Sequence, residues 1–234
     1  MPDLEHPAVQ RMARVAAALD GLLPEVVFIG GSIAPLLHTD SPFRGARPTK
    51  DTDGVVASSR YSEVGRLHER LRQLGFRQDP PSRDHIHRWL TPQGDFLDLV
   101  PAGQHPGGSG QIWDEIALET SEAIDLGVGS PVRYASAPSF FALKWAAYTD
   151  RGKKDPYRSH DLEDILGLVA ARPTLVTEIA SGRREIRGFV VQEVQELIGS
   201  ADFEDLLAAN LSHAQDPAAV ISRVRNHLLE IAGM

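Results

Sequence analysis

Gly30-Gly31-Ser32, Asp51-Thr52-Asp53 and Asp98 are the residues whose types and spacing point to chemistry. In an extended strand, side chains two apart share a face, so Asp51 and Asp53 project together, as two hard oxygen ligands must to hold a magnesium ion. A glycine pair at a strand end lets backbone N–H groups approach a phosphate, and the Ser32 hydroxyl at the start of a helix adds a donor. Asp98 stands inside Phe96-Leu97-Asp98-Leu99-Val100. An aspartate with apolar strand neighbours on both sides is costly to bury unless it is paired, hydrogen-bonded or bound to a cation. Period-two alternation sets Asp98 on the face of Phe96 and Val100, which in a sheet can be the face that carries Asp51 and Asp53. A di- or triphosphate with Mg²⁺ is the ligand these parts suit. Each part alone has a plainer reading: a turn for the glycines, a solvated strand face for Asp51 and Asp53, a water-facing edge strand for Asp98. Asp95 reads as a turn residue.

The elements that must position these groups follow from periodicity. Val9, Met12, Val15, Ala16 and Leu19 recur at helical spacing and predict a helix over about residues 7–21. Residues 25–29 and 51–57 read as strands, 62–74 as a helix closed by Gly75, and Ser32 as the cap of a short helix through Leu37. Residues 85–90 and 96–100 read as strands joined by the hairpin turn Thr91-Pro92-Gln93-Gly94-Asp95, and residues 41–48 and 103–110 as loops. From Ala137 the pattern turns helical, with a charged loop over 150–160, a helix over 162–171 halted by Pro173, and breaks near Gly182, Gly199 and Pro217. Strands first and helices later predict an α+β fold, divided into a core over 1–135 and a helical domain over 136–234.

Composition bounds the function. A chain of 234 residues buries a sizeable core without staples, and the absence of cysteine excludes a disulfide framework, a thiolate metal site and a cysteine nucleophile. The net charge of −8 excludes nonspecific polyanion binding by the molecule as a whole, so any nucleic-acid contact needs a local basic patch. Neither a basic, then apolar leader nor a run of about 18 apolar residues is present, so a cytoplasmic protein without a membrane span is the expectation.

Gly-Gly-Ser, a loop, Arg-Xaa-Thr-Xaa-Asp-Xaa-Asp over residues 47–53 and a later strand aspartate resemble the nucleotidyltransferase superfamily related to DNA polymerase β. The closer resemblance is to AbiEii/AbiGii-type toxin nucleotidyltransferases, including MenT-like enzymes. These carry a lysine on a helix and, past a short basic stretch, an aspartate opening the next helix. Phe140-Phe141-Ala142-Leu143-Lys144-Trp145 and Arg158-Ser159-His160-Asp161-Leu162 supply the two here. The resemblance implies a mixed sheet flanked by helices, with the C-terminal domain contributing Lys144 and Asp161 to the cleft. It implies Gly30, Gly31, Ser32, Thr49, Lys50 and Lys144 at the nucleotide, Asp51 and Asp53 as metal ligands, and Asp161 holding Lys144 or sitting beside the nucleotide. Asp98 is then a third metal ligand or the base that accepts a proton from the attacking hydroxyl. Its acidity departs from the toxin branch, where that position is often not acidic.

The residues add their own tests. Lys144 lies among apolar neighbours, so its stem packs while its ammonium seeks an anion; a snorkelling surface lysine is the alternative. Asp161 is also a good N-cap residue, and Asp164 reads as a solvated helix position. Arg44, Arg47 and Lys50 lie beside the proposed metal ligands, and Arg151, Lys153, Lys154 and Arg158 follow Lys144 in one segment. These cations form either an RNA-binding patch or an ordinary charged loop. His85 and His87 lack a nearby third ligand and read as structural or solvent-facing.

The function implied is Mg²⁺-dependent transfer of a nucleotide from an NTP to RNA, a tRNA 3′ end in particular, with pyrophosphate released. A possible antitoxin partner would cover the site or modify a residue such as Ser32. The competing readings are nucleotidyl transfer to a small-molecule or protein hydroxyl, and an inactive nucleotide- or partner-binding module.

Overall fold

The computed structural model describes residues 3–40, 49–57, 61–79, 87–102 and 111–234. The loop readings over 41–48 and 103–110, and His85, lie outside the described residues. The chain forms two compact units. One holds the described residues of 3–35 and 48–136, the other those of 36–47 and 137–234.

The first unit is built on a mixed sheet. Its entry helix α1 (Pro7–Leu19) starts at a proline whose missing N–H costs nothing in the first turn, and His6 caps it by accepting from the Ala8 N–H at 3.2 Å. Met12, Val15, Ala16 and Leu19 form its buried stripe. A 3₁₀ turn over Asp20–Glu25 keeps Glu25 out of the following strand, β1 (Val26–Ile29), which is buried throughout. After a 3₁₀ turn at Gly31–Ile33 comes the single-turn helix α2 (Ala34–Leu37), within which the chain leaves this unit. It returns for β2 (Asp51–Val56), α3 (Tyr61–Gln73), β3 (Arg77–Gln78), β4 (Arg88–Leu90), β5 (Phe96–Pro101), α4 (Gln111–Glu119), β6 (Glu122–Ile124) and β7 (Val132–Tyr134).

The sheet order is β3-β4-β5-β2-β1-β7-β6, with β2 parallel to β5, β1 parallel to β7 and the other neighbours antiparallel. β4 and β5 form the hairpin read from the sequence, its turn closed by Thr91 and Asp95: the Thr91 N–H donates to the Asp95 carbonyl and the Asp95 N–H to the Thr91 hydroxyl. β3, α4, β6 and β7 were not among the expected elements. The β2–β5 register pairs Asp53 with Asp98, Thr52 with Leu97 and Gly54 with Leu99. Paired residues share a face, so Thr52, Leu97, Leu99 and Trp89 lie on one side, buried, and His68 of α3 meets the Trp89 ring edge-on at 5.0 Å.

The second unit is helical. α5 (Ala137–Ala147) is buried on nearly all sides, as its even spread of apolar residues requires, and packs against the three helices α6 (His160–Ala171), α7 (Leu175–Ser181) and α8 (Arg184–Ile198). α9 (Phe203–Leu211) and α10 (Pro217–Ala232) complete it, and α10 is capped by Asp216, whose carboxylate accepts from the Ala219 N–H. The breaks near Gly182 and Gly199 fall between helices, as expected, and Pro217 opens α10 in its first turn. The α+β class with a mixed sheet and a helical C-terminal half is therefore the observed fold. No helix among the described residues is long and apolar enough to cross a membrane.

Trp145 is wholly buried in the second unit, its ring edge-on to Phe141 at 6.0 Å and to Tyr148 at 5.7 Å. Trp145→Ala should cost about 3–5 kcal/mol in urea unfolding. A loss below about 1 kcal/mol would contradict that packing.

Candidate functional site

The sheet carries a polar patch on the face opposite Thr52 and Leu99. Along β2 that face runs Asp51, Asp53, Val55, and along β5 Phe96, Asp98, Val100. Ile29 of β1 pairs with Asp53, and Arg88 of β4 pairs with Asp98. Apolar side chains bury one end of the face, while Asp51, Asp53 and Asp98 stay half-buried at the other. The three carboxylates named from spacing do share one face.

Each is held differently. The Thr49 hydroxyl, itself buried, donates to Asp51 Oδ1 at 2.8 Å, and the Thr49 carbonyl accepts a short bond from Arg11 of α1, so α1 fixes the start of β2. Burial pushes the Asp51 carboxyl up, but the Thr49 hydrogen bond and the Arg88 charge outweigh it and hold the group below the ordinary aspartate value. Asp53 lies against Gly30: a Cβ on Gly30 would stand 2.1 Å from Asp53 Oδ2 and Gly30 has φ +70°, so both space and backbone demand glycine there. Ser32 is wholly buried and its hydroxyl donates to the Ile29 carbonyl at 3.3 Å. Gly31 is half-buried and Lys50 exposed. Arg44 and Arg47 lie outside the described residues.

Arg88 was not anticipated. Its Nε donates to Asp98 Oδ1 at 2.8 Å, while Nη2 donates both to Asp98 Oδ2 at 2.6 Å and to Asp51 Oδ2 at 2.8 Å. Its guanidinium also stands 5.1 Å from the centre of the Phe96 ring. The available signal was the hairpin: counting back through the Thr91–Asp95 turn puts Arg88 directly opposite Asp98.

A second polar cluster lies within the helical unit. Lys144, only 8% exposed, reaches Asp161 Oδ1 at 3.2 Å and Asp164 Oδ2 at 2.5 Å. Its ammonium thus finds an anion, as the apolar flanks required, and Asp161 does hold it. Arg151 grips the same Asp161 with a fork, Nε to Oδ2 at 2.8 Å and Nη2 to Oδ1 at 3.1 Å. Burial pushes the Asp161 carboxyl up, but the Arg151 hydrogen bond and the Lys144 charge outweigh it and hold the group below its ordinary value.

Two expectations need correction here. Asp164 is buried, not solvated, because α6 is buried nearly all round and the Asp164 carboxylate is turned onto Lys144. The N-cap of α6 is Ser159, which accepts from the Leu162 N–H, while Asp161 lies inside the first turn. The basic segment is also partly neutralised: Lys153 pairs with Glu193 at 3.2 Å and with Glu196 at 2.9 Å, whereas Lys154 and Arg158 are exposed.

No family model matches the chain. Among solved structures, the chain is similar to an antigenic nucleotidyltransferase-like protein from Paracoccidioides brasiliensis at 18% identity and TM-score 0.47, over 89% of this chain and 96% of that one. It is also similar to an H. pylori protein provisionally described as a nucleotidyltransferase, at 10% identity and TM-score 0.46, over 97% of this chain and 96% of that one.

Whether the patch suits a divalent cation is decided by its own atoms. Asp51 Oδ2 and Asp98 Oδ2 converge on a single cationic nitrogen, Arg88 Nη2, so these two hard donors fit such an ion. Among the described residues no group of three His, Cys, Asp or Glu side chains is gathered to hold a metal; Arg88 engages two of the carboxylates, and Asp53 lies on Gly30.

Gly30→Ala should destabilise the fold by about 2 kcal/mol or more through the positive φ and the clash with Asp53, measured by denaturant unfolding. A neutral substitution would show that Asp53 is not seated there. For Asp161, a folded-state pKa below the unfolded value means stability that is complete above the ordinary value of 3.8 and lost as pH falls through the folded value. The stability gap between the native protein and Asp161→Asn should therefore narrow below about pH 4. A gap that stays constant with pH would exclude the ionised pairing.

Proposed function

We propose that this chain is a Mg²⁺-dependent nucleotidyltransferase that moves an NMP group from an NTP to an RNA hydroxyl, the tRNA 3′ end, and that it belongs to the toxin branch with an antitoxin partner in the cytoplasm. One observation carries the reading. Asp51, Asp53 and Asp98 share a sheet face, with two of their oxygens converging on one cation and a backbone glycine packed against the third.

In the proposed reaction the acceptor hydroxyl oxygen attacks the α-phosphorus in line, the bond between that phosphorus and the bridging oxygen breaks, and pyrophosphate leaves. A bound divalent ion would supply Lewis-acid neutralisation of phosphate charge, with Asp51 and Asp53 as its ligands and Asp98 as a third. Asp98 alternatively accepts the hydroxyl proton. Both its oxygens are engaged by Arg88, so either role requires that guanidinium to move. Gly30, Gly31, Ser32, Thr49 and Lys50 are assigned to the nucleotide; the buried Ser32 hydroxyl holds the shape of the glycine turn, which leaves backbone N–H groups as the phosphate donors. Lys144 is assigned to the phosphates, with Asp161 orienting it.

A second reading, transfer to a small-molecule hydroxyl, is favoured by one observation. Arg151 and Lys153 already spend their charge on Asp161, Glu193 and Glu196, which leaves less of the basic segment for an RNA backbone.

The test is incubation with total tRNA, Mg²⁺ and each α-labelled NTP in turn. Native protein should label RNA with a preferred nucleotide, and Asp51→Ala should lose at least about a hundredfold in rate while remaining folded. Folded Asp51→Ala that labels RNA as well as the native protein would end this proposal. Label that enters only an added hydroxyl compound would select the second reading, and no Mg·NTP binding would select an inactive module.

A further inference from the structure

The carboxylate face already holds a cation of its own, and that cation is part of the chain. Arg88 Nη2 donates to Asp51 Oδ2 at 2.8 Å and to Asp98 Oδ2 at 2.6 Å, so a single nitrogen occupies the point that two strands' carboxylates share. The guanidinium is well placed to stay. Its Nε makes a further bond to Asp98 Oδ1, its plane lies near the Phe96 ring, and its side chain is only 11% exposed. A divalent ion coordinated by the same oxygens would stand beside a fixed positive charge in a half-buried setting, where neighbouring like charges repel strongly. Inner-sphere coordination also needs the oxygen lone pairs that now accept from nitrogen.

We propose that Arg88 is a resident counter-cation whose seat on Asp51 and Asp98 excludes a divalent metal, so that metal binding and Arg88 engagement are alternatives. The inference rests on the reading of Asp51 and Asp98 as metal ligands. Arg88 is a positioning residue. In the metal-free protein it keeps two carboxylates aimed at one point against their mutual repulsion, and this weakens the site for a bare metal ion. When metal takes the oxygens, the displaced guanidinium remains beside them as a cation in want of an anion, and the polyphosphate that arrives with the metal is an anion of the right kind. The site should therefore take metal and nucleotide together more readily than metal alone.

The test is direct binding of Mn²⁺, followed by the electron-spin-resonance signal of the free ion, to the full native chain, Arg88→Gln, Arg88→Lys and Asp51→Asn, each checked for fold by circular dichroism. Arg88→Gln should bind Mn²⁺ at least about tenfold more tightly than the native chain, Arg88→Lys should stay near the native value because it keeps the charge, and Asp51→Asn should lose binding. A merely structural role for Arg88 predicts the opposite sign, since loosened carboxylates bind metal less well. Unchanged or weaker binding by folded Arg88→Gln, with Asp51→Asn still abolishing it, overturns the proposal and leaves the metal ligands standing. Absence of Mn²⁺ binding by every protein overturns both. The native chain gives an answer free of any folding defect: Mg²⁺ titration should shift the Arg88 Nε–H resonance, and saturation with that resonance unmoved refutes the exclusion.

Discussion

Arg88 between Asp51 and Asp98 is the interaction on which the rest of the sheet unit depends. The register that places Asp53 beside Asp98 also puts three carboxylates on neighbouring strands, where directly opposed side chains stand about 5 Å apart. Two like charges at that distance repel by roughly 3 kcal/mol at an effective dielectric constant near 20. Strand pairing alone would be opposed by that term. One guanidinium contacting two carboxylates reverses the sign locally, and the Thr49 hydroxyl takes up part of the remaining charge on Asp51. The hairpin therefore does more than extend the sheet: it delivers the counter-charge that lets β2 and β5 pair in this register.

The helical unit solves the same problem with a different set of groups. Lys144 and Arg151 bring two positive charges to Asp161 and Asp164, so the cluster is neutral while three of its members are buried. Burying ion pairs rarely adds net stability, because desolvation offsets the attraction. What such a cluster enforces is geometry, since removal of one member leaves an uncompensated buried charge. In this unit it ties α5, the turn after it and the start of α6 into a single arrangement.

Much of this was legible in the sequence, for identifiable reasons. β1 was marked by a β-branched and aromatic run that stops at Gly30-Gly31, β2 by the alternating run that opens with Asp51 and Asp53, β5 by the apolar run around Asp98, and the β4–β5 hairpin by its turn residues. Those same features put Asp51, Asp53 and Asp98 on one face. β6 and β7 went unread because three-residue strands with exposed or charged positions carry no periodic signal, and their place is set by pairing, β7 with β1 and β6 with β7. Asp164 was misread because one carboxylate on a helix looks solvated, although the apolar surroundings in residues 162–171 mark a helix buried all round. Arg88 escaped because its role exists only across the hairpin, in a register that propensity does not report.

Clusters whose cations are already paired change what ligand binding must mean for this protein. A site built from unmatched cations attracts anions from a distance and loses affinity steeply with salt. Here Arg88, Lys144, Arg151 and Lys153 each have a carboxylate partner, and the molecule as a whole carries −8. An incoming phosphate must exchange with those partners instead of filling a vacant charge. Exchange lowers long-range attraction, but the polar groups are already oriented and partly desolvated, so less reorganisation is required once the ligand arrives. Selectivity then follows from whether a ligand can satisfy both halves of a broken pair, an anion for the guanidinium and a cation for the carboxylates. A nucleoside triphosphate carrying a divalent ion meets both demands at once, whereas inorganic anions or free metal ions meet only one.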